Sequence, residues 1–218
     1  AEAARVAAES ESLRNTLLSS ISHDLRTPLA VITGASTALA DPHLAITPEA
    51  RTELARSIAA RAQDMSGLVS NVLDLVRFES GRVALRREWQ SLEYLLGPAL
   101  QRVEARLGKQ SVEIELPADL PPVYVDAALI SQVLVNLLEN AAKHTPEGTS
   151  VRVAAHADDD VVRLAVEDDG PGLPPGDPEQ LFEKFQRGRR ESEVPGAGLG
   201  LAICRAIVDA HGGRISAS

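Results

Sequence analysis

Leu18, Ile21, Leu25, Pro28, Ile32, Ala35 and Leu39 step along the chain by three and four, the seam of a helix that packs lengthwise. The pattern is helical from residue 4 to Leu39. Thr27-Pro28 interrupts it, because the proline lacks a backbone donor and predicts a kink. Asp41-Pro42 ends the helix, and a short loop runs to Ala45. Thr47-Pro48-Glu49 then restarts one with a capping residue, a proline at the first position and an acid facing the helix dipole. Leu54, Ile58, Arg61, Met65, Leu68, Val72 and Leu75 repeat by four and three toward Phe78, and Val69, Leu73 and Val76 widen that stripe. Two long helices with a short connection predict an antiparallel hairpin. The widened stripe predicts a second copy that closes it into a four-helix bundle, a homodimer through residues 1–80.

Ser80-Gly81-Arg82 is read as a helix break, and beyond Trp89 the pattern is mixed. Leu92 to Leu107 reads as helix, Val112–Leu116 alternates as a strand, and Pro121-Pro122-Val123-Tyr124-Val125 is a short second strand. Asp126 caps a helix running to Ala142. Val151–Ala155 and Val161–Val166 form a hairpin around Asp158-Asp159-Asp160, and Gly200 to Ala210 is a last helix. Helices alternating with paired strands predict an α+β fold with helices on one face of a mixed sheet. The domains expected are residues 1–84 and 85–218.

The 218 residues leave room for one large domain or two small ones, with 44% hydrophobic and 24% charged residues. Aromatics are only 3%, so the cores are built from Leu, Val, Ile and Ala. A net charge of -9 argues against nucleic acid, which requires a basic face to neutralise phosphates. An anionic nucleotide remains open, held by backbone amides, Mg2+ and a few local cations. The one cysteine, Cys204, lies in an apolar run and reads as a small core residue; no disulfide can form within the chain. No apolar run nears the ~18 residues of a membrane span, and neither a signal peptide nor a span is expected in these residues. The opening residues already read as mid-helix, so a soluble piece of something longer is expected.

His23 stands off the seam. At about 100° per residue it lies roughly 160° from both Ile21 and Leu25, which turns its imidazole toward solvent and leaves it available to react. Asn136, Asn140 and Lys143 fall at i, i+4 and i+7, so two amides and an ammonium share one helix face. Amide oxygens suit Mg2+ and Lys143 suits a phosphate, though a plain solvated face has the same pattern. Asp168-Asp169-Gly170-Pro171-Gly172 ends a strand. A carboxylate there can accept from an exocyclic amine while the glycines let backbone pass close to a ring, and the same residues also make an ordinary turn. Gly196-Ala197-Gly198-Leu199-Gly200 precedes a helix, where amides bind phosphate well; it is neither a dinucleotide fingerprint nor a P-loop. Leu181–Arg190 supplies Phe182, Phe185 and a basic, glycine-hinged segment, either a lid over a polyphosphate or a docked surface loop.

In order and spacing, His23-Asp24-Leu25-Arg26-Thr27-Pro28, Asn136 to Lys143, Asp168-x-Gly170-x-Gly172, Phe182 to Phe185 and Gly196-x-Gly198-x-Gly200 resemble the H, N, G1, F and G2 boxes of sensor histidine kinases. The resemblance spans nearly the whole chain. It is closer still to the potassium-responsive KdpD kinases, through Arg14-Asn15-Thr16-Leu17-Leu18, Arg87-Glu88-Trp89 and Arg190–Gly196. It implies a dimeric helical hairpin followed by an α/β sandwich ATP-binding domain of the GHKL or Bergerat type. It also implies ATP-dependent phosphorylation of His23 and transfer to an aspartate of a response-regulator receiver domain, with phosphatase action toward that regulator.

Carried over by position, the resemblance makes His23 the phosphorylated residue, with Asp24 assisting as base and Thr27 joining Asp24 in orienting a water. Asn140 and Asn136 hold Mg2+, Lys143 meets the phosphates and Asp168 reads the adenine amine. Gly170, Gly172, Gly196, Gly198 and Gly200 shape the pocket and lid, and Arg187 meets a phosphate. His144 stands where many members have an aromatic. Arg214–Ser218 stops where a strand begins and the family continues into a terminal hairpin. The portion expected is cytoplasmic, with any membrane contact made by N-terminal segments outside this chain. Two competing readings are an ATPase module of the gyrase and Hsp90 type, which leaves His23 idle, and a dimeric scaffold that only binds nucleotide.

Overall fold

The computed structural model describes residues 2–79, 84–108, 110–146, 148–173, 176–183 and 199–218, with backbone only for residues 2–20, 79 and 105. The chain divides into two compact units, one ending at Asp74 and the other opening at Leu75.

The first unit is a helical hairpin of α1 (Glu2–Ala40) and most of α2 (Pro48–Glu79), joined by residues 41–47, with the last part of α2, from Leu75, in the second unit. Helix α1 continues through Pro28 as one helix. It ends where Asp41 N–H donates back to the Thr37 carbonyl, with Pro42 unable to continue. Thr47 Oγ1 accepts from Ala50 N–H at 3.2 Å, the cap that the Thr-Pro-Glu sequence predicts. The seam residues Ile21, Leu25, Pro28, Ile32 and Leu39 are half-buried and Ala35 is buried, while the side chain of Leu18 lies outside the described residues. On α2, Leu54, Ile58, Arg61, Met65, Leu68 and Val72 are half-buried, and Val69, Leu73 and Val76 are exposed by 46%, 52% and 56%. The break expected at Ser80-Gly81-Arg82 lies outside the described residues.

The second unit is an α/β sandwich. Its elements are β1 (Glu88–Gln90), α3 (Leu92–Leu107), β2 (Ser111–Glu115), β3 (Val123–Val125), α4 (Ala127–His144), β4 (Ser150–Asp158), β5 (Val161–Asp168), a 3-10 turn at Pro178–Phe182 and α5 (Gly200–Ala210). Strands β2, β4 and β5 form one mixed sheet in that order, with β2 parallel to β4 and β5 antiparallel to it. The parallel pair is bridged by the crossover through β3 and α4. Strands β1 and β3 make a separate antiparallel pair in which Trp89 faces Tyr124, their ring centroids 5.3 Å apart.

Strand β4 alternates strictly, with Val151, Val153 and Ala155 buried and Arg152 exposed between them. Against that inner face pack Leu95, Leu96, Ala99 and Val103 of α3 and Leu134, Val135, Leu138 and Ala141 of α4. Arg152, on the outer face, pairs with Glu167 of β5 and lies 3.9 Å from Glu115 of β2. One expectation is corrected. Residues 213–218 carry no strand, since a strand is defined by a neighbouring ladder and β5 is paired, among the described residues, with β4 alone. Among the described residues no helix is long and apolar enough to cross a membrane.

Candidate functional site

His23 lies mid-way along α1 with its side chain 73% accessible, as its offset from the seam predicts. Its Nδ1 is 3.3 Å from Oδ1 of Asp24, whose own side chain is only 11% accessible. That is a long contact between neighbours, in which Nδ1 donates when the ring carries its proton there. Thr27, one helical turn on, is exposed.

In the second unit, Asp126 Oδ1 accepts from Leu129 N–H at 3.3 Å and starts α4. The three polar positions of this helix part company. Asn136 is half-buried and its Nδ2 donates to the Gly200 carbonyl at 3.4 Å, whereas Asn140 and Lys143 are exposed. A solvated face thus describes Asn140 and Lys143 but not Asn136, which ties α4 to the first residue of α5. Beside it Cys204 is wholly buried, its Sγ 3.8 Å from the Val133 carbonyl, and that burial pushes its thiol pKa up to about 12. A thiol so held is inert, in line with its reading as a core residue.

Asp168 ends β5 and is exposed; its Oδ1 accepts from Gly170 N–H at 2.9 Å. A Cβ added at Gly170 would sit 2.4 Å from that oxygen and 3.3 Å from the His144 carbonyl, so a side chain there would displace the Asp168 carboxylate and crowd the end of α4. Gly172 follows at φ 76°, in the left-handed region that glycine tolerates. Gly200 opens α5, with Asn136 Cγ 3.9 Å from where a Cβ would stand. Arg187, Gly196, Gly198 and Phe185 lie outside the described residues. Within the second unit the fold therefore gathers Asn136 with Gly200, and Asp168 with Gly170 and the end of α4.

Phe182 is buried and docks the 3-10 turn on α5: the Arg205 guanidinium stands 4.6 Å from the ring centroid and pairs with Glu179. Sequence reasoning named the phenylalanine and missed its partner. The signal was there, since Arg205 is the one charge in the apolar run from Leu199 to Val208. Among the described residues no three His, Cys, Asp or Glu side chains converge as a metal cage. Exposed amide oxygen at Asn140 fits a hard cation that arrives with phosphate oxygens and keeps several waters, which is how Mg2+ is ordinarily bound.

Comparison with known proteins matches residues 13–81 to the His Kinase A (phospho-acceptor) domain and residues 125–218 to the histidine kinase-, DNA gyrase B- and HSP90-like ATPase family. The chain is 46% identical over 217 residues to the sensor protein KdpD of Escherichia coli strain K12, which covers 99% of this chain and 24% of that relative. The chain thus spans about a quarter of the length of the curated relative it matches. Among solved structures, the histidine kinase AdeS of Acinetobacter baumannii superposes with a TM-score of 0.66 at 27% identity, covering 86% of each chain. The mycobacterial sensor histidine kinase MprB gives 0.53 at 32% identity, over 60% of this chain and 83% of that one. A phospho-acceptor hairpin followed by an ATP-binding sandwich, with relatives of this kind along its whole length, means that the chain belongs to the sensor histidine kinases, as an ATP-dependent kinase core close to KdpD.

Proposed function

We propose that this chain takes the γ-phosphoryl group of ATP onto His23 and passes it to an aspartate of a response-regulator receiver domain. The observation that carries the reading is an imidazole that is exposed on a packed helix and held at Nδ1 by the adjoining carboxylate. With Nδ1–H given to Asp24, the Nε2 lone pair is the nucleophile. As the Nε2–P bond forms and the bond to the β-phosphate oxygen breaks, positive charge grows on the ring. Asp24 balances that charge and then accepts the Nδ1 proton. Phosphoryl transfer depends more on positioning and charge compensation than on a strong base, which suits so weak a contact.

Asp168, with Oδ1 engaged by Gly170, offers Oδ2 to the adenine amine, and the bare Gly170 and Gly172 admit the ring edge. Mg2+ neutralises charge on the phosphates when bound. Asn140 would hold it from its exposed position and Asn136 from beside Gly200, with Lys143 on the phosphates. Arg187, Gly196 and Gly198 take their roles from the motif, and Gly200 from its place at the start of α5. Asp24 and Thr27 would also orient a water against the phosphorylated regulator. Residues 1–84 are the dimerisation and phosphotransfer segment and 85–218 the ATP-binding segment. The exposed Val69, Leu73 and Val76 support pairing of two hairpins. Similarity to KdpD supports a KdpE-like receiver, potassium-responsive signalling and a membrane anchor elsewhere in a longer protein.

Incubation with γ-labelled ATP and Mg2+ tests the reading. Acid-labile, alkali-stable label is expected on the protein and is lost in His23→Gln. Label that persists in that variant removes His23 from its role, and free phosphate without protein label favours a bare ATPase.

A further inference from the structure

Arg86 and Arg87 stand just ahead of β1, and each is bonded to the end of a different helix. The backbone N–H of Arg86 donates to Asp126 Oδ2 at 2.9 Å, at the cap of α4. Arg87 Nη2 donates to the carbonyl of Ala210, the last residue of α5, at 2.6 Å. Helix α5 has no basic residue in its own last turn, so the cation that meets its negative end comes from 123 residues earlier in the chain. His211 closes the knot. Its Nδ1 lies 2.7 Å from the Ile207 carbonyl, and its Nε2 accepts from Asp126 N–H at 3.0 Å.

This knot sits at one end of the α4 and α5 pair, and the nucleotide groups sit at the other. From Asp126 to Asn136, and from His211 back to Gly200, is ten or eleven residues, about 15 Å along each helix. The two helices are therefore antiparallel, pinned at one end by His211 and Arg87 and at the other by Asn136 on Gly200. Arg86 and Arg87 end the linker, the stretch between α2 and β1, which is the covalent route from the His23 hairpin into the unit that carries Asp168 and Asn140.

We propose that Arg87 is a positioning residue for phosphoryl transfer: docked on the Ala210 carbonyl, it fixes where the linker enters the ATP-binding unit, so that its loss slows transfer to His23 and leaves ATP affinity unchanged. The proposal rests on the kinase reading above. Affinity is spared because the joint is remote from Asp168, Asn140 and Gly200. Transfer is sensitive because Arg87 anchors the stretch of chain that joins the two units, and in-line transfer tolerates little displacement of the reacting groups.

The test pairs single-turnover labelling with γ-labelled ATP and Mg2+ with displacement of a fluorescent ATP analogue. In Arg87→Ala the labelling rate constant is expected to fall about tenfold, the scale of one charge-assisted hydrogen bond. The Kd for ATP is expected to stay within about twofold of the unaltered chain, separating transfer from binding. Arg87→Lys keeps a cation that can reach the carbonyl and recovers most of the rate. Arg86→Ala keeps it as well, since the Arg86 bond is made by backbone. Arg87→Met, which retains the apolar stem, gives the same comparison if the alanine variant fails to fold. An unchanged rate in Arg87→Ala, or parallel losses of rate and affinity, overturns the proposal. If the unaltered chain takes no label at His23, the kinase reading falls and this one with it.

Discussion

Asp168 shows how one side chain is asked to do two things. Its Oδ1 closes a turn onto Gly170, and the remaining oxygen is the acceptor we propose for the adenine amine. Asp168→Asn can keep the turn but presents an amide donor to an amine, so ATP affinity is expected to fall about tenfold or more while the melting temperature moves little. Titration against a fluorescent ATP analogue, with a parallel melt, separates the two. Cys204 makes a different statement. Its pKa is raised from 9.0 to about 12 by burial, so the unfolded thiol ionises while the folded one stays protonated. Its contribution is fully present below pH 9 and declines as pH rises toward 12, at up to about 1.4 kcal/mol per pH unit. Urea unfolding across that range should show the decline, and Cys204→Ala should flatten it. At this scale the sequence was informative where a residue's role is local. The exposure of His23 and the turn from Asp168 to Gly170 are readable from their neighbours in the chain, but the burial of Asn136 is not, because the carbonyl it binds belongs to Gly200, on another helix.

The helices were legible because their ends are written in short-range chemistry. Thr47-Pro48 and Asp126 announce starts, and Asp41-Pro42 announces a stop. What stayed hidden was defined by pairing with distant residues. Glu88–Gln90 is too short to show a period and is a strand only through β3, and nothing local tells that β2 runs parallel to β4. The 3-10 turn likewise depends on Arg205 holding Phe182. Caps can be compared directly. Thr47→Ala removes a single cap bond and should cost about 1 kcal/mol. Asp126→Ala removes its cap bond and the bond from the exposed Arg86 N–H as well, and should cost more than Thr47→Ala, about 1–2 kcal/mol, measured by urea unfolding.

For the whole molecule, the two units solve different problems. The sandwich closes its own core around β4, whereas the hairpin leaves Val69, Leu73 and Val76 in solvent. Apolar side chains repeating on one helix face are the ordinary mark of a surface that pairs with another helix. Sedimentation at micromolar concentration is expected to give a dimer, and Leu73→Glu a monomer whose ATP affinity is unchanged. A monomeric unaltered chain would remove the four-helix bundle from the account.

The one tryptophan of this chain is not in either core. Trp89 is 68% exposed, its ring tilted against Tyr124 on the β1 and β3 pair and two residues from Arg87. Intrinsic fluorescence is therefore almost blind to the packing of the sandwich and watches the point where the linker enters it. The protein carries its own optical gauge of that joint, with Tyr124 as a built-in energy donor.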